Sequence, residues 1–569
     1  MTNNLTKLKG AKGLHGVAYL IGFKPKNLAY ILYGIPDDYK YTEFKIPKKS
    51  GGERIIRSPN EKLKHVQKRL AENLSLCLSE IDAIEGVKRK FTLSHGFRPD
   101  LGISTNAASH VRRRWVFNID LEDFFPSINF GRVRGYFMKN KHFGLDAASA
   151  TILAQICCWR NELPQGAPTS PVVSNLLASP LDIALNRLAR RERCTYTRYA
   201  DDITFSTNKK NFPANIAAPC QALNGAWEVG DDLRYRIFRN GFNINHKKTR
   251  MQHYWSRQEV TGLTVNTKVN IPNDYLKVVR SLVDHLISGK VPFSETSGAK
   301  IPISKGQMQG MLAHIFKIKA EELEYRRPKD KMAMPGFLRT HQKFLDYIYF
   351  ASSDRPTIVC EGKTDNSYLR LSLRAHDKTY PKLISSDGSK ELLIRLFRQT
   401  RISRVAQGIG GGAGDLAGLI RFYTERMSAT KVQLPELPVI VIVDNDDGPR
   451  GKGGVFSAVK QASGTGTVDG TERFYHVCSN LYLVPTPLLT GGAHSMIESF
   501  LAPAVLSTKV GGKSLHLDEK TFDKTKHIGK ELFVKHVVQK NAATIDFSGY
   551  KPILDAITEV IADYEKRKP

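Results

Sequence analysis

The chain has 569 residues, 41% hydrophobic and 25% charged, ordinary proportions for a soluble globular protein but too many residues for one core, so two or more domains are expected. Its formal charge is +30, an excess that predicts a polyanionic partner, nucleic acid first, ahead of a basic surface kept for solubility. Apolar stretches such as "LPVIVIV" (437–443) are strand-length, which excludes a spanning helix. The basic N-terminus runs into Lys-Pro-Lys rather than a cleavage site, so no signal peptide is expected. Seven cysteines without a CxxC pair argue against a zinc ribbon or a disulfide framework, and Cys157 and Cys158 read as reduced core in a cytosolic protein.

Up to about residue 350, helix-period segments mix with short strands. In "RRRWVFNIDLEDFFPSI" (112–128) an apolar strand, Trp115 to Ile119, ends in Asp120. "TRYADDITFS" (197–206) reads as two short strands meeting at Asp201 and Asp202, with no Gly or Asn for an ordinary hairpin turn. Adjacent carboxylates repel unless a cation or proton neutralises them. Mg²⁺ takes one or two carboxylates plus substrate phosphates, so Asp120 is the expected third ligand on a neighbouring strand. Two metals there would activate an attacking 3′-hydroxyl and stabilise the leaving pyrophosphate.

Residues 351–356 are small, polar and Pro-containing, a linker. Beyond them strands alternate with helices, the pattern of a parallel sheet. "PTIVCEGKTDNSYL" (356–369) is a strand ending in Glu361-Gly362, with Asp365 before a helix. "LPVIVIVDNDDG" (437–448) is a fully apolar strand ending in Asp444, Asp446 and Asp447. Acidic residues past such strands sit where open α/β sheets bind ligands, and Glu361, Asp444 and Asp446 can converge on Mg²⁺. The Gly-rich "GIGGGAG" (408–414) reads as a flexible loop.

Five ordered stretches of the first regime resemble reverse transcriptases. "FKIPKKSGGERIIRSPNEKLKHVQ" (44–67) resembles the fingers, which places Arg54 near the incoming triphosphate. "NIDLEDFFPSI" (118–128) resembles the first palm motif, with Asp120 as metal ligand and Phe124 or Phe125 near the nucleotide sugar. "LPQGAPTSPVVSNL" (163–176) resembles the motif whose Gln165-Gly166 backs nucleotide and template. "YADD" (199–202) resembles the metal-binding hairpin. "GFNINHKKT" (241–249) resembles the motif whose Lys247 or Lys248 approaches the phosphates. Asn106-Ala107-Ala108-Ser109-His110 matches the NAxxH pattern of retron reverse transcriptases, and Val260-Thr261-Gly262 their VTG signature.

The resemblance implies a right-hand polymerase: fingers and palm over residues 1–260, and a helical, RNA-binding thumb over 261–350. It implies two Mg²⁺ held by Asp120, Asp201 and Asp202. Deoxynucleoside triphosphates and a cognate structured non-coding RNA (msr-msd) would be its substrates. Synthesis from a guanosine 2′-hydroxyl would then give branched msDNA. Residues 357–569 resemble a TOPRIM domain, a Rossmann-like parallel sheet. Glu361, Asp444 and Asp446 would hold one or two Mg²⁺ there, Glu498 matches a later acidic position of the OLD-type nucleases, and Asp365 and Asp447 are further acidic candidates. No strand-cleaving tyrosine domain or primase zinc element is seen, which leaves a metal-dependent nuclease. The expected fold class is therefore multidomain, α+β followed by α/β. The expected role is a bacterial, cytoplasmic anti-phage retron with no membrane contact, its oligomeric state open. A mobile-element reverse transcriptase, or a retron whose TOPRIM domain is a silent binding module, are the alternatives.

Overall fold

The computed structural model describes residues 3–47, 52–86, 92–220, 226–296, 299–320, 334–464, 466–517 and 521–568. Residues 48–51 of the expected fingers and 321–333 of the expected thumb lie outside the described residues. The chain divides into two compact units, Met1–Asn273 and Asp274–Pro569. Among the described residues no helix is long and apolar enough to cross a membrane.

In the first unit, β1 (Tyr41–Pro47) and β2 (Glu53–Pro59) form an antiparallel hairpin. Asn60 then caps α1 (Glu61–Ile84) by accepting from the Leu63 amide. Leu63, Val66, Leu70, Leu74 and Cys77 recur at helical spacing and bury one face of α1. After α2 (Ile103–Ala108) comes β3 (Trp115–Glu122), then α3 (Phe130–Lys139), α4 (Ala147–Cys157) and α5 (Ser170–Arg191). Strands β4 (Thr195–Tyr199), β5 (Asp202–Thr207) and β6 (Asn243–His253) complete a four-stranded antiparallel sheet, ordered β4-β5-β3-β6. Phe117, Ile119, Ile203 and Phe205 bury one face of this sheet in a core shared with the helices. The period of two sends Asn118, Asp120 and Thr204 to the other face. The strand does not stop at Ile119: it runs to Glu122, so Asp120 lies inside it, paired on both sides. A two-residue turn links β7 (Glu259–Val260) to β8 (Leu263–Thr264).

The second unit begins with helices α6 (Asn273–Ile287), α7 (Lys305–Lys319) and α8 (Gly336–Asp346). Next come β9 (Thr357–Cys360), α9 (Asp365–Ala375), β10 (Arg395–Leu396), α10 (Ala413–Arg421), β11 (Val439–Val443) and α11 (Val455–Ser463). β12 (Tyr475–Cys478), β13 (Leu481–Pro485) and α12 (Lys551–Arg567) end the unit. The sheet order is β10-β9-β11-β13-β12, parallel except for β12. Ile358, Cys360, Ile440 and Ile442 pack with α9 and α12 on one face. Val359, Val439, Val441 and Val443 pack with α10 and α11 on the other. Burial on both faces is why these strands read as unbroken apolar runs. The C-terminus of α8 is fixed to this layer by a buried pair: Arg426 Nε donates to Asp346 Oδ2 at 2.8 Å, and Gln407 Nε2 donates to Asp346 Oδ1 at 2.8 Å.

Candidate functional site

The β4–β5 hairpin turns through Ala200 and Asp201, and Ala200 supplies the positive φ (55°) usually left to Gly. Three contacts hold that turn. Leu121 N donates to Asp201 O at 3.0 Å. The fully buried Arg198, paired with Asp182 at 2.7 Å, donates through Nη1 to Ala200 O at 3.0 Å. Gly96 lies so close that a Cβ there would sit 2.8 Å from Ala200 N. Neither Arg198 nor Gly96 was among the expected site residues; an arginine inside an otherwise uncharged strand was the available signal.

Across the sheet Asp202 stands opposite Asp120. Both line a cleft of about 520 Å³ whose walls include Tyr199, Lys247, Arg250, Thr261 and Gly262. Asp202 shows much surface because it faces this opening, yet the walls crowd its carboxyl. That desolvation, with Asp201 and Asp120 beside it, pushes Asp202 up to about 7. Burial and then Asp120 push Asp201 up as well, against a smaller downward pull from Lys248 and Arg54. Asp120 is buried, with Lys248 Nζ 3.0 Å from each oxygen and Asn245 Nδ2 at 3.3 Å. Lys248 therefore answers the carboxylate, while Lys247 lines the cleft.

The other expected residues surround this centre. Phe124 is core, stacked on Phe242 at 5.5 Å, whereas Phe125 is half-buried 6.2 Å from the exposed Phe97. Gln165 O accepts from Arg57 N at 2.8 Å, and Gly166 (φ 124°) approaches β2 so closely that a Cβ would meet Arg57 O at 2.7 Å. His110 is fully buried, its Nδ1 2.7 Å from Ser206 Oγ and its Nε2 2.7 Å from Thr197 Oγ1, so it ties β4 to β5. Asn106 is also buried, and its side-chain amide has no hydrogen-bond partner. Thr261 and Gly262 form the β7–β8 turn at φ 48° and 78°, the paired positive values of a type I′ turn. Val260 is buried, and Thr261 Oγ1 donates to Ile103 O of α2 at 3.2 Å. The first residue of the helix that carries Asn106 thus meets the VTG turn at the cleft wall.

In the second unit, Glu361, Asp365, Asp444 and Glu498 crowd together at the strand ends, with Asp446 close enough to Glu361 to act on its charge. Burial first, then the neighbouring carboxylates, pushes Glu361 up to about 7, Asp365 to about 6 and Asp444 to about 8. Backbone amides answer part of this charge: Gly362 N donates to Asp365 at 2.6 Å, Asp444 N to Glu361 at 3.2 Å and Ile497 N to Asp444 at 2.8 Å. Glu498 is 1% exposed; one oxygen accepts from Lys530 Nζ at 3.0 Å, and the other has no partner. Lys530 was not among the expected site residues, since it lies 32 residues beyond Glu498 in the chain. Asp446 accepts from Gly448 N at 2.9 Å and caps the turn, and Asp447 is exposed, 3.3 Å from His494.

Among the described residues no group of three or more His, Cys, Asp or Glu side chains is gathered closely enough to hold a metal ion as arranged here. Uncompensated carboxylates repel; here the first cluster is answered by Lys248 and the Asn245 side-chain amide, and the second by Lys530 and backbone amides. The donor chemistry nevertheless suits a hard divalent cation: oxygen ligands, raised proton affinities and an unpartnered Glu498 oxygen.

Residues 46–285 match the family described as reverse transcriptase (RNA-dependent DNA polymerase). The chain is 32% identical over 280 residues to the retron Ec86 reverse transcriptase of Escherichia coli, covering 49% of this chain and 79% of that protein. It is also 32% identical over 302 residues to the retron Mx65 reverse transcriptase of Myxococcus xanthus, covering 50% of this chain and 62% of that protein, so it spans under two thirds of that relative. A telomerase from Candida albicans in complex with a fragment of telomeric RNA aligns at 9% identity and a TM-score of 0.29, over 55% of this chain and 61% of that one, too distant a likeness to bear on the fold. The chain belongs to the retron reverse transcriptases.

Proposed function

We infer that the first unit is an RNA-directed DNA polymerase that copies its own cognate structured RNA into branched msDNA from deoxynucleoside triphosphates. The observation that carries this reading is Asp120 opposite Asp202, with Asp201 at the adjoining turn, at the edge of a cleft lined by basic residues. In the reaction a primer hydroxyl attacks the α-phosphate, a P–O bond forms, and pyrophosphate leaves. Magnesium bound by Asp120, Asp201 and Asp202 would supply positive charge for the developing alkoxide and the leaving group. Lys248 would give up Asp120 as this charge arrives, and Lys247 and Arg54 would meet phosphate oxygens. Phe125, Gln165 and Gly166 would bound the nucleotide and template. Arg198 and His110 would act as positioning residues behind the carboxylates. Residues 1–260 would then serve as fingers and palm, and 261–350 as the thumb.

Residues 357–569 fit a TOPRIM nuclease that hydrolyses a phosphodiester, the effector of an anti-phage retron in the bacterial cytoplasm. The support is the acidic cluster past the C-terminal ends of β9 and β11, two neighbouring inner strands of a mainly parallel sheet. Glu361, Asp365, Asp444 and Glu498 would be its cation ligands, with Asp446 nearby.

The deciding experiment is to purify the protein from its native bacterial locus with any bound nucleic acid, then treat the sample with RNase and debranching enzyme. One DNA species whose mobility changes on debranching supports the polymerase reading. RNA without attached DNA overturns it. Divalent-dependent nuclease activity lost in Asp444→Asn tests the effector.

A further inference from the structure

At the end of β3 away from Asp120, aromatic rings gather. Trp115 pairs with His253 in register, and its ring lies 4.6 Å from His253, 5.5 Å from Trp227 and 6.3 Å from Phe212. The chain leaves β6 through Tyr254 and Trp255. Trp255 stacks on His253 at 4.4 Å and 13°, and Tyr254 meets its edge at 4.9 Å. Packing fixes both rings, yet Trp255 is 67% and Tyr254 54% exposed.

The rim is cationic. The Arg114 guanidinium lies 5.6 Å over the Tyr254 ring. Trp115 Nε1 donates to Lys209 O at 3.1 Å, which brings in Lys209 and the exposed Lys210. Lys209 Nζ donates to Glu192 O at 3.4 Å, and the acids Glu192 and Glu259 are each already paired with an arginine, Arg191 and Arg257. Adjacent exposed rings mark an interaction site. An apolar protein partner does not suit a rim of this charge. Nucleobases do, because their faces stack on aromatic rings while Arg and Lys meet the phosphates. Bases inside a duplex hide those faces, so the occupant must be unpaired.

We propose that Tyr254 and Trp255, with Arg114, Lys209 and Lys210, form a docking platform for an unpaired segment of RNA, separate from the cleft at Asp120. Trp115 and Asp120 lie about 17 Å apart along β3 and on opposite faces of the sheet, so the platform does not duplicate the cleft. The choice of RNA rests on the polymerase reading, in which RNA is the template.

The test titrates the full chain with a labelled, unstructured RNA of about ten nucleotides, reading anisotropy and tryptophan emission. Binding is expected to quench emission. Trp255→Ala should weaken binding about tenfold or more, and Trp255→Phe, which keeps a ring, should restore most of it. Tyr254→Ser gives the same reading if Trp255→Ala melts early. Unchanged binding in a Trp255→Ala protein that melts like the wild type overturns the platform. So does an RNA duplex that competes as well as the single strand. A DNA oligomer of the same sequence that binds equally well overturns the assignment to RNA. Primer extension by the wild type separates the two readings. Extension without Trp255-dependent binding removes the platform alone, and Trp255-dependent binding without extension removes the polymerase reading alone.

Discussion

Lys248 holds its ammonium 3.0 Å from both oxygens of Asp120, a half-exposed cation against a nearly buried carboxylate. Removing that carboxylate leaves Lys248 free to turn to water, so Asp120→Asn should change stability by no more than about 1 kcal/mol. DNA synthesis should fall at least about a hundredfold, because a cation ligand at the reacting phosphate is gone. Thermal melts beside primer extension check both halves. A variant that extends primers at the wild-type rate would remove Asp120 from the site.

His110 links acidity to the hairpin behind the carboxylates. Burial, then Arg113 and His95, lowers it to about 3, whereas an unfolded histidine titrates near 6.5. Below pH 6.5 the unfolded chain therefore binds more protons, and stability falls as pH drops from 6.5 toward 3. At pH 5 this one group should cost about 2 kcal/mol. His110→Ala leaves the Ser206 and Thr197 hydroxyls without their partner and opens a cavity, at a cost of about 2–4 kcal/mol at neutral pH. Denaturant unfolding at pH 7.5 and pH 5 should show the gap between wild type and variant narrowing in acid. A constant gap would mean that the imidazole is not held neutral.

Thr261 is a β-branched residue at φ 48°, a conformation that costs roughly 1–3 kcal/mol unless its surroundings enforce it. Thr261→Asn should relieve about 1 kcal/mol while losing the bond to Ile103 O and altering the cleft wall. The expected result is a protein that melts higher and synthesises DNA more slowly. Higher melting with unaltered synthesis would show that the turn is strained without consequence for the cleft.

Asp444 tests whether the second cluster binds a cation. Its folded carboxyl titrates near 8, above the unfolded value of 3.8, so the folded state holds the proton more tightly. The stability this adds is complete below pH 3.8 and is lost as pH rises through 8. In chelator at pH 8, Asp444→Asn should melt above the wild type, and the difference should shrink at pH 5. Added Mg²⁺ or Mn²⁺ should raise the melting temperature of the wild type more than that of the variant. An equal rise in both would place the cation elsewhere.

Much of the fold was readable in the chain. The apolar run into Asp120 and the strands flanking Asp201 and Asp202 appear as β3, β4 and β5, because β propensity and apolar pattern are local properties. The unbroken run before Asp444 pointed to a strand covered on both faces, and β11 is one. Local rules went wrong where the backbone broke them: the turn at Ala200 needs a positive φ that no residue-type signal announced, and it persists because Arg198, Gly96 and Leu121 enclose it.

The sequence alone determined that Glu361 and Asp444 follow strands of the second unit, that the chain carries ordered motifs of a reverse transcriptase, and that its charge calls for nucleic acid. Only the tertiary structure decided which side chains answer those acids. It set Lys248 on Asp120 and brought Lys530 to Glu498, while turning Asp446 toward the amide of Gly448. The reason is physical: a carboxylate's charge is tuned by burial and by neighbours within a few ångströms, and folding draws those neighbours from distant parts of the chain.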